Sequence, residues 1–421
     1  MRAAVVVLGD LGHSPRMSYH AHSLSSNGLT VDLIGYSGSE LHPLISNDEN
    51  IIVHQKTSPF KVSRNKLLFI PTALLKIIFQ FFQFLFCLLS VPRSDYILVQ
   101  NPPSMPILTV VFIVKLIRNS KVIIDWHNFG YTILGMKHKG LAPLLLKQYE
   151  KFFGKCGDLH FCVSFAMKTF LHSHFGIPQS KITVLYDRPS PIFKPLSLKE
   201  KHDFMEEISP SLGFDTNPIT YKKGREVKRK HNSVFAVSST SWTPDEDFTP
   251  LYEAICQYDH FAREEDLPLL NLVITGRGPL QETFKDKINQ SGLKKVVVAF
   301  AWLQAKDYPT LIASADFGIS LHQSSSKLDL PMKILDMFGC GVPVLAVHYD
   351  CIEELVIPLQ FGFLFHNSDD LCKLLVRWTR DLYYSSGEID LFRNNIIQYF
   401  ASQSWQSNWN DVVKPLLVHC Q

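Results

Sequence analysis

Residues 274–280 read ITGRGPL, 315–322 read ADFGISLH and 328–344 read LDLPMKILDMFGCGVPV. The first block is an apolar run that ends in a Gly-Arg-Gly-Pro turn. The second ends at His322 and leads into a polar loop, Ser324 to Ser326. The third is a helix pattern that carries Lys333 and Asp336 and is closed by Gly339 and Gly341. Buried strands followed by turns and a helix start describe a doubly wound α/β sheet, which binds ligands beyond the carboxyl ends of its strands. Backbone N–H groups at such turns and at helix N-termini attract phosphate oxygens, and Arg277 and Lys333 add full positive charge. Asp336 can accept hydrogen bonds from sugar or ribose hydroxyls. Each feature alone fits an ordinary strand–helix unit. In this order, Gly276, Arg277, Gly278, His322, Lys333 and Asp336 point to a nucleotide-sugar pocket.

Working outward, further apolar runs predict strands at 233–237, 272–275, 296–300, 317–320, 344–347 and 362–365. An earlier set falls at 3–8, 31–35, 51–54, 96–100, 122–125, 160–163 and 182–185. These runs are continuous rather than alternating, as expected where helices cover both sheet faces. The 421 residues exceed one ordinary core. We therefore expect two Rossmann-like domains, facing each other across a cleft: residues 1–195 for the acceptor and membrane side, and 233–421 for the donor. The terminal helices, with Trp405 and Trp409, are expected to cross back to the first domain. Residues 196–232, rich in charge and including YKKGREVKRKH, read as a mobile polar linker or surface insertion.

A net charge of +3 gives no argument for nucleic acid, and the eight cysteines lack zinc-site spacing or a disulfide framework. The opening run AAVVVLGD, 3–10, is expected to be a buried strand rather than a cleaved leader. The stretch 67–91, LLFIPTALLKIIFQFFQFLFCLLSV, is nearly long enough and apolar enough to span a bilayer, with Lys76 its single charge. Gln80, Gln83 and Pro71 count against a simple span. A buried core helix, a true span and a helix lying in one leaflet all remain open. Lys61, Arg64 and Lys66 beside it suit anionic headgroups.

The first half supplies a second set of candidates. GDLGHSPRM, 9–17, follows the first strand; Gly12 permits a tight turn, Ser14 and Pro15 fit a helix start, and Arg16 has the reach to meet a phosphate. IDWHNFG, 123–130, places Asp125 and His127 at a strand's carboxyl end, where an imidazole can deprotonate an attacking hydroxyl. His127 is the preferred base, with Asp125 and Asp10 as alternatives. In SSTSWTPDEDF, 238–248, Thr243, Pro244 and Asp245 read as a helix start whose acids serve the dipole, and the turn at Ser239 faces the donor diphosphate. No set of carboxylates reads as a metal cage.

These blocks, with QNPPSMPIL, YEKFFG and DYPTLIASADFGISLHQSSSKLDLPMKILDMFGCGVPV, cover almost the whole chain outside 196–232. The chain resembles the chitobiosyldiphosphodolichol beta-mannosyltransferases. The resemblance implies a GT-B fold, GDP-mannose as donor with no tightly bound cofactor, and an inverting β1,4 transfer to dolichol-linked chitobiose in N-glycan precursor assembly. It also implies the endoplasmic reticulum membrane, with the catalytic domains facing the cytosol and other mannosyltransferases of the pathway as candidate partners. Related GT-B transferases carry an acidic pair, which maps here to Asp336 and, shifted by a residue, Asp329. His13 stands where the family usually has arginine. The family's usual hydrophobic anchor is not seen ahead of the first strand, so attachment is expected to fall on 67–91 or on partners. An α-mannosyltransferase of the same pathway and a silent scaffold subunit are the competing readings.

Overall fold

The computed structural model describes residues 1–63, 65–243 and 246–418, so Arg64, Pro244 and Asp245 lie outside the described residues. The chain divides into two compact units. Unit 1 is Met1–Asp187 plus the segment from Trp405 onward, and unit 2 is Arg188–Ser404.

Unit 1 holds seven strands: β1 (Arg2–Asp10), β2 (Thr30–Tyr36), β3 (Ile51–Lys56), β4 (Tyr96–Asn101), β5 (Lys121–Trp126), β6 (Leu159–Cys162) and β7 (Ile182–Val184). All neighbours pair in parallel, in the order β3-β2-β1-β4-β5-β6-β7. The order reverses at β1. Right-handed crossovers therefore send the helix after β1, Pro15–Ser26, to one face, and the helices Lys66–Ser90, Ile107–Arg118 and Leu141–Gly154 to the other. Ala3, Val5 and Val7 of β1 pack on the first face with Met17, Ala21, Leu24, Trp405 and Trp409. The terminal segment thus completes the core of unit 1. Trp409 is fully buried and its indole N–H donates to His20 Nδ1 at 3.1 Å; the Trp405 indole donates to Ser23 Oγ at 3.1 Å.

Unit 2 is built on β10 (Ser233–Ser239), β11 (Leu269–Thr275), β12 (Val296–Ala301), β13 (Phe317–Ser320), β14 (Val344–Val347) and β15 (Gly362–Phe365), parallel in the order β12-β11-β10-β13-β14-β15. Before them comes a two-stranded hairpin, β8 (Thr220–Lys223) and β9 (Glu226–Arg229).

Two expectations need correction. The stretch 196–232 is not a mobile linker; it is folded into unit 2. Ser197 and Glu200 form a reciprocal capping box for the helix Leu198–Ile208. Met205 of that helix is fully buried, buried His202 bonds Thr220 Oγ1 at 2.8 Å, and Phe214 meets Phe235 of β10. Arg229 of the basic run pairs with Asp316. The domain boundary accordingly falls at 187/188 rather than at 195. The second correction concerns the helix expected to start at Thr243. The chain instead runs on to Thr249–Glu264, where Pro250 is the first-turn proline and Asp247 Oδ1 accepts from Thr249 N–H at 2.9 Å. Glu246 is thereby released for another use.

Replacing Trp409 with alanine leaves a cavity in unit 1 and removes the donor to His20, a loss of roughly 3–5 kcal/mol. Trp409→Phe keeps most of the volume and should lose clearly less. Urea denaturation of the full chain measures both; a loss below about 1 kcal/mol for the alanine variant would show that the terminal segment is not a working part of the core.

Candidate active site

The strand order of unit 2 reverses between β10 and β13, which is where a doubly wound sheet opens a crevice for ligand. Two turns meet beside it. After β10 the chain passes through Thr240, Ser241 and Trp242, and after β11 through Gly276, Arg277 and Gly278. They interlock so closely that a Cβ on Gly276 would lie 1.8 Å from Thr240 O, and one on Gly278 2.1 Å from Ser241 O. Gly276 also has φ +107°, open to glycine at little cost. Both glycines of the Gly-Arg-Gly-Pro turn are thus fixed by backbone contact, and Arg277 is left exposed with its guanidinium 5.0 Å from the Trp302 ring centre.

Glu246 organises the rest, a role that sequence reasoning missed. Its carboxylate is buried and accepts from the Thr240 hydroxyl and from Ser241 N–H at 3.1 Å. The other oxygen holds Lys333 Nζ at 3.2 Å, and Lys333 also reaches Ser241 Oγ at 3.4 Å. Glu246 and His322 form an antiparallel backbone bridge, which joins the end of β13 to this turn. Lys333 sits in the first turn of the helix Met332–Gly339. One buried carboxylate therefore positions a lysine against the turn after β10, at the N-terminal end of a helix.

A second polar chain runs from Ser239 through Tyr308 to Asp336. The Tyr308 hydroxyl and Ser239 Oγ are hydrogen-bonded at 3.0 Å. Burial pushes the Asp336 carboxyl up to about 7, against the opposing pull of the Tyr308 hydrogen bond and of Lys333. Asp329 lies on the loop between β13 and the helix Met332–Gly339. Burial also raises its carboxyl, Ser326 Oγ donates to it at 3.1 Å, and Ser324 and His322 oppose the rise. Ser239, Gly276, Arg277, Gly278, His322, Asp329, Lys333 and Asp336 all lie at or beyond the carboxyl edge of the unit 2 sheet. Glu246, Thr240, Tyr308 and Trp302 are additions from the structure.

In unit 1 the candidates take different parts. Asp125, at zero exposure, is held in a fork by Arg16: Nε meets Oδ2 at 2.8 Å and Nη2 meets Oδ1 at 2.9 Å. Arg16 Nη1 is spent on Leu185 O at 2.9 Å and Asp187 Oδ1 at 2.8 Å. The expectation that Arg16 meets a phosphate is therefore overturned; the guanidinium is buried, and its donors serve the protein. Burial alone would raise the Asp125 carboxyl, but Arg16 and His127 outweigh it and hold it well below the usual range. So weak a base, with both oxygens occupied, does not fit proton abstraction.

His127 is differently placed. Its Nε2 is 2.7 Å from Asp125 Oδ2, its side chain is 23% exposed, and Nδ1 has no partner among the described residues. A carboxylate on Nε2 fixes the proton there and leaves the Nδ1 lone pair available. His20 Nε2 shares Asp125 Oδ2 at 3.2 Å, and its Nδ1 accepts from Trp409; burial lowers its pKa and keeps it neutral. Asp10 is also committed. It accepts from Gly12 N–H at 3.0 Å, Ser39 N–H at 2.9 Å and Ser39 Oγ at 2.8 Å; burial would raise it, and these bonds bring it below the ordinary value. The structure thus gives Asp10 the job of closing a turn, not that of a base. Gly12 is required there because a Cβ would lie 2.4 Å from Glu40 O. Ser14 stands at the N-cap position, yet its hydroxyl bonds Asp10 O at 3.0 Å instead of capping the helix.

One more buried acid was missed. Glu150 accepts from Ser104 Oγ, Asn101 Nδ2 and the Gly130 and Tyr131 N–H groups. It pins the loop after β5, the loop that carries His127, to the chain after β4. Among the described residues no group of three His, Cys, Asp or Glu side chains is arranged to hold a metal ion.

Residues 14–187 match the family model Glycosyltransferase Family 4, and residues 251–381 match Glycosyl transferases group 1. The Mus musculus chitobiosyldiphosphodolichol beta-mannosyltransferase is 38% identical, covering 99% of this chain and 89% of its own. The Yarrowia lipolytica enzyme of the same name is 39% identical over 99% and 86%. The Arabidopsis thaliana protein named UDP-glycosyltransferase TURAN is 37% identical over 99% and 97%. Among solved structures, Anabaena HepE in complex with UDP-glucose shares the fold with a TM-score of 0.68 at 15% identity, over 99% of both chains. Two parallel Rossmann-like units and full-length relatives of this similarity make the protein a GT-B glycosyltransferase that belongs to the chitobiosyldiphosphodolichol beta-mannosyltransferase family.

Proposed function

We propose that this chain moves mannose from GDP-mannose to the 4-hydroxyl of dolichol-diphosphate-linked chitobiose, with inversion, at the cytosolic face of the endoplasmic reticulum membrane. The names of its full-length relatives support the acceptor and the sugar. The observation that carries the chemistry is the His127–Asp125 pair, an imidazole oriented by a buried, strongly ionised carboxylate with one ring nitrogen left free.

His127 Nδ1 takes the acceptor hydroxyl proton as that oxygen bonds to the anomeric carbon. The bond from that carbon to the diphosphate oxygen breaks on the opposite face, and GDP departs with growing negative charge. Arg277, Lys333 and the backbone N–H groups of Arg277 and Gly278 are the groups in unit 2 suited to absorb it. Glu246 keeps Lys333 in place between turnovers. Asp336 and Asp329 are suited to the hydroxyls of the donor. A general base contributes about 10²–10⁴-fold, so most of the acceleration must come from electrostatics and positioning.

The test is one assay of purified protein with GDP-mannose and chitobiose on a short polyprenyl diphosphate. The new sugar should be released by β-mannosidase and not by α-mannosidase, and added chelator should leave the rate unchanged. Release by α-mannosidase overturns the linkage. The Arabidopsis relative's name favours a second reading, a UDP-sugar donor; turnover with UDP-glucose exceeding that with GDP-mannose would establish it.

His127→Ala should lower kcat by about 100-fold or more, with donor KM nearly unchanged. Retention of activity within a few-fold would exclude His127 as the base.

Asp336 links the site to stability. Its carboxyl ionises at about 7 when folded, against 3.8 for an unperturbed aspartate. The stability of the neutral form is complete below the lower value, declines as the unfolded chain ionises first, and is gone once pH passes the folded value. Asp336→Asn has no charge to bury. Its stability relative to the parent should rise between about pH 4 and pH 7 and level off above that, by roughly 1–3 kcal/mol in thermal melts, while transfer activity falls. A difference independent of pH would remove the burial argument.

A further inference from the structure

The helix Lys66–Ser90 has two unlike faces. Phe84, Cys87 and Leu88 are buried against unit 1. Gln80 Nε2 donates to the Tyr36 hydroxyl at 3.1 Å, and Gln83 Nε2 to Thr57 O at 3.2 Å. The two glutamines that look out of place in an apolar helix are therefore its attachments to the domain. This segment is the one helix among the described residues long and apolar enough to cross a membrane, over Ile70–Ser90. Crossing would tear those attachments and expose Phe84 and Leu88. Its opposite face is apolar and bare, with Leu74, Leu75, Ile78, Phe79, Phe82 and Phe86 all exposed at helical spacing.

The bare face does not stand alone. The helix packs beside Ile107–Arg118, which packs beside Leu141–Gly154, which pairs with Gly130–Lys137. All four lie on the face of the unit 1 sheet opposite Trp405 and Trp409. Fifteen of the thirty-one exposed large hydrophobic side chains among the described residues belong to these four helices, including Leu116, Ile117, Leu144 and Leu145. Charge is sorted in the same place. Residues 51–149 contain twelve Lys and Arg against two acids, Asp95 and Asp125, while the whole chain nets only +3. Asp125 is buried and paired, so it offers nothing to the surface. Lys61, Arg93 and Lys139 are exposed.

We infer that this helix layer is a docking surface for the surface of an anionic phospholipid bilayer, entered to the depth of one leaflet by the outer face of Lys66–Ser90 and by the exposed leucines of Leu141–Gly154. The inference deepens the membrane part of the proposed function and specifies the residues that make the contact. Apolar insertion and a basic field are each weak anchors, and together they give stable but salt-sensitive attachment.

The test is co-sedimentation of the full-length protein with vesicles of phosphatidylcholine, with and without about 30% phosphatidylserine. Binding should be at least about tenfold tighter with the anionic lipid and should weaken as salt is raised from about 0.1 M to about 0.5 M. The triple change Leu74→Glu, Ile78→Glu and Phe82→Glu should lower vesicle binding at least tenfold. The pair Leu144→Glu and Leu145→Glu, on the other helix, should lower it several-fold. Unchanged GDP affinity in both variants controls for folding. Transfer to a short-chain acceptor in solution should persist, while transfer to a long-chain acceptor in vesicles falls. Absence of vesicle binding by the parent, binding indifferent to anionic lipid, or self-association abolished by the same changes would overturn the inference. Sedimentation needs neither sugar nucleotide nor acceptor, so failure of the mannosyl-transfer reading would appear separately, in the short-chain assay.

Discussion

The Asp125 carboxylate is the point on which unit 1 turns. Burying an ion costs several kcal/mol, and the cost is met only if its lone pairs are filled with good geometry. Arg16 supplies two bonds, His20 and His127 one each. Arg16 comes from the helix after β1, Asp125 and His127 from the end of β5, and Asp187 from the chain as it leaves unit 1. The terminal segment joins through Trp409 and His20. The same four bonds that make Asp125 too weak to be a base make it a strong orienting group. Neutral His20, kept in one tautomer by the Trp409 indole, adds a donor without adding charge.

Unit 2 solves a similar problem with smaller means. Glu246 is its buried carboxylate, and Lys333, Thr240 and Ser241 fill it. The difference lies in the cation. Arg16 is sealed inside, with four hydrogen bonds to the protein, whereas Lys333 keeps 27% of its side chain exposed. A lysine that is held and still reachable can answer a diphosphate; an arginine buried and forked onto a carboxylate cannot. In the interlocked glycine turns the Thr240, Ser241, Trp242 and Gly276 N–H groups are spent within the protein, and, among the described residues, those of Arg277 and Gly278 remain.

Much of this was legible in the sequence. Every strand of the two large sheets was foreseen from continuous apolar runs, since strands covered on both faces leave no polar alternation to misread. The glycine turns were legible because no other residue fits them. The role of Glu246 was not, since an acid next to a proline and another acid has the ordinary explanation of a helix start. Its real partner, Lys333, lies 87 residues away. Residues 196–232 failed for a related reason. Their charge is real, but the capping box, Met205 and Phe214 outweigh it, and composition averages over such anchors. Arg16 was misjudged because a sequence shows the charge of an arginine and not the carboxylates that consume it. Three motif blocks that seemed independent, QNPPSMPIL, IDWHNFGYTILG and YEKFFG, meet at Glu150, whose carboxylate binds Asn101, Gly130 and Tyr131.

The distribution of surface character follows from the same economy. A donor that arrives dissolved in water needs only polar contacts, and unit 2 accordingly has its exposed apolar side chains scattered. An acceptor that is a sugar diphosphate on a long hydrocarbon cannot leave its lipid, so the protein must come to it. Unit 1 carries the apolar helix layer on one face of its sheet, the Trp-lined core on the other, and His127 at the carboxyl end of β5 between them. A sheet offers two faces and one catalytic edge. One face holds the terminal segment and the other the apolar helix layer, and the carboxyl edge that carries His127 is left to neither. The position of His127 is then set by β5, an interior strand, whose neighbouring residues Trp126 and Phe129 are each at zero exposure. Substitutions on the outer face of Lys66–Ser90 therefore touch none of the groups bonded to His127 and Asp125.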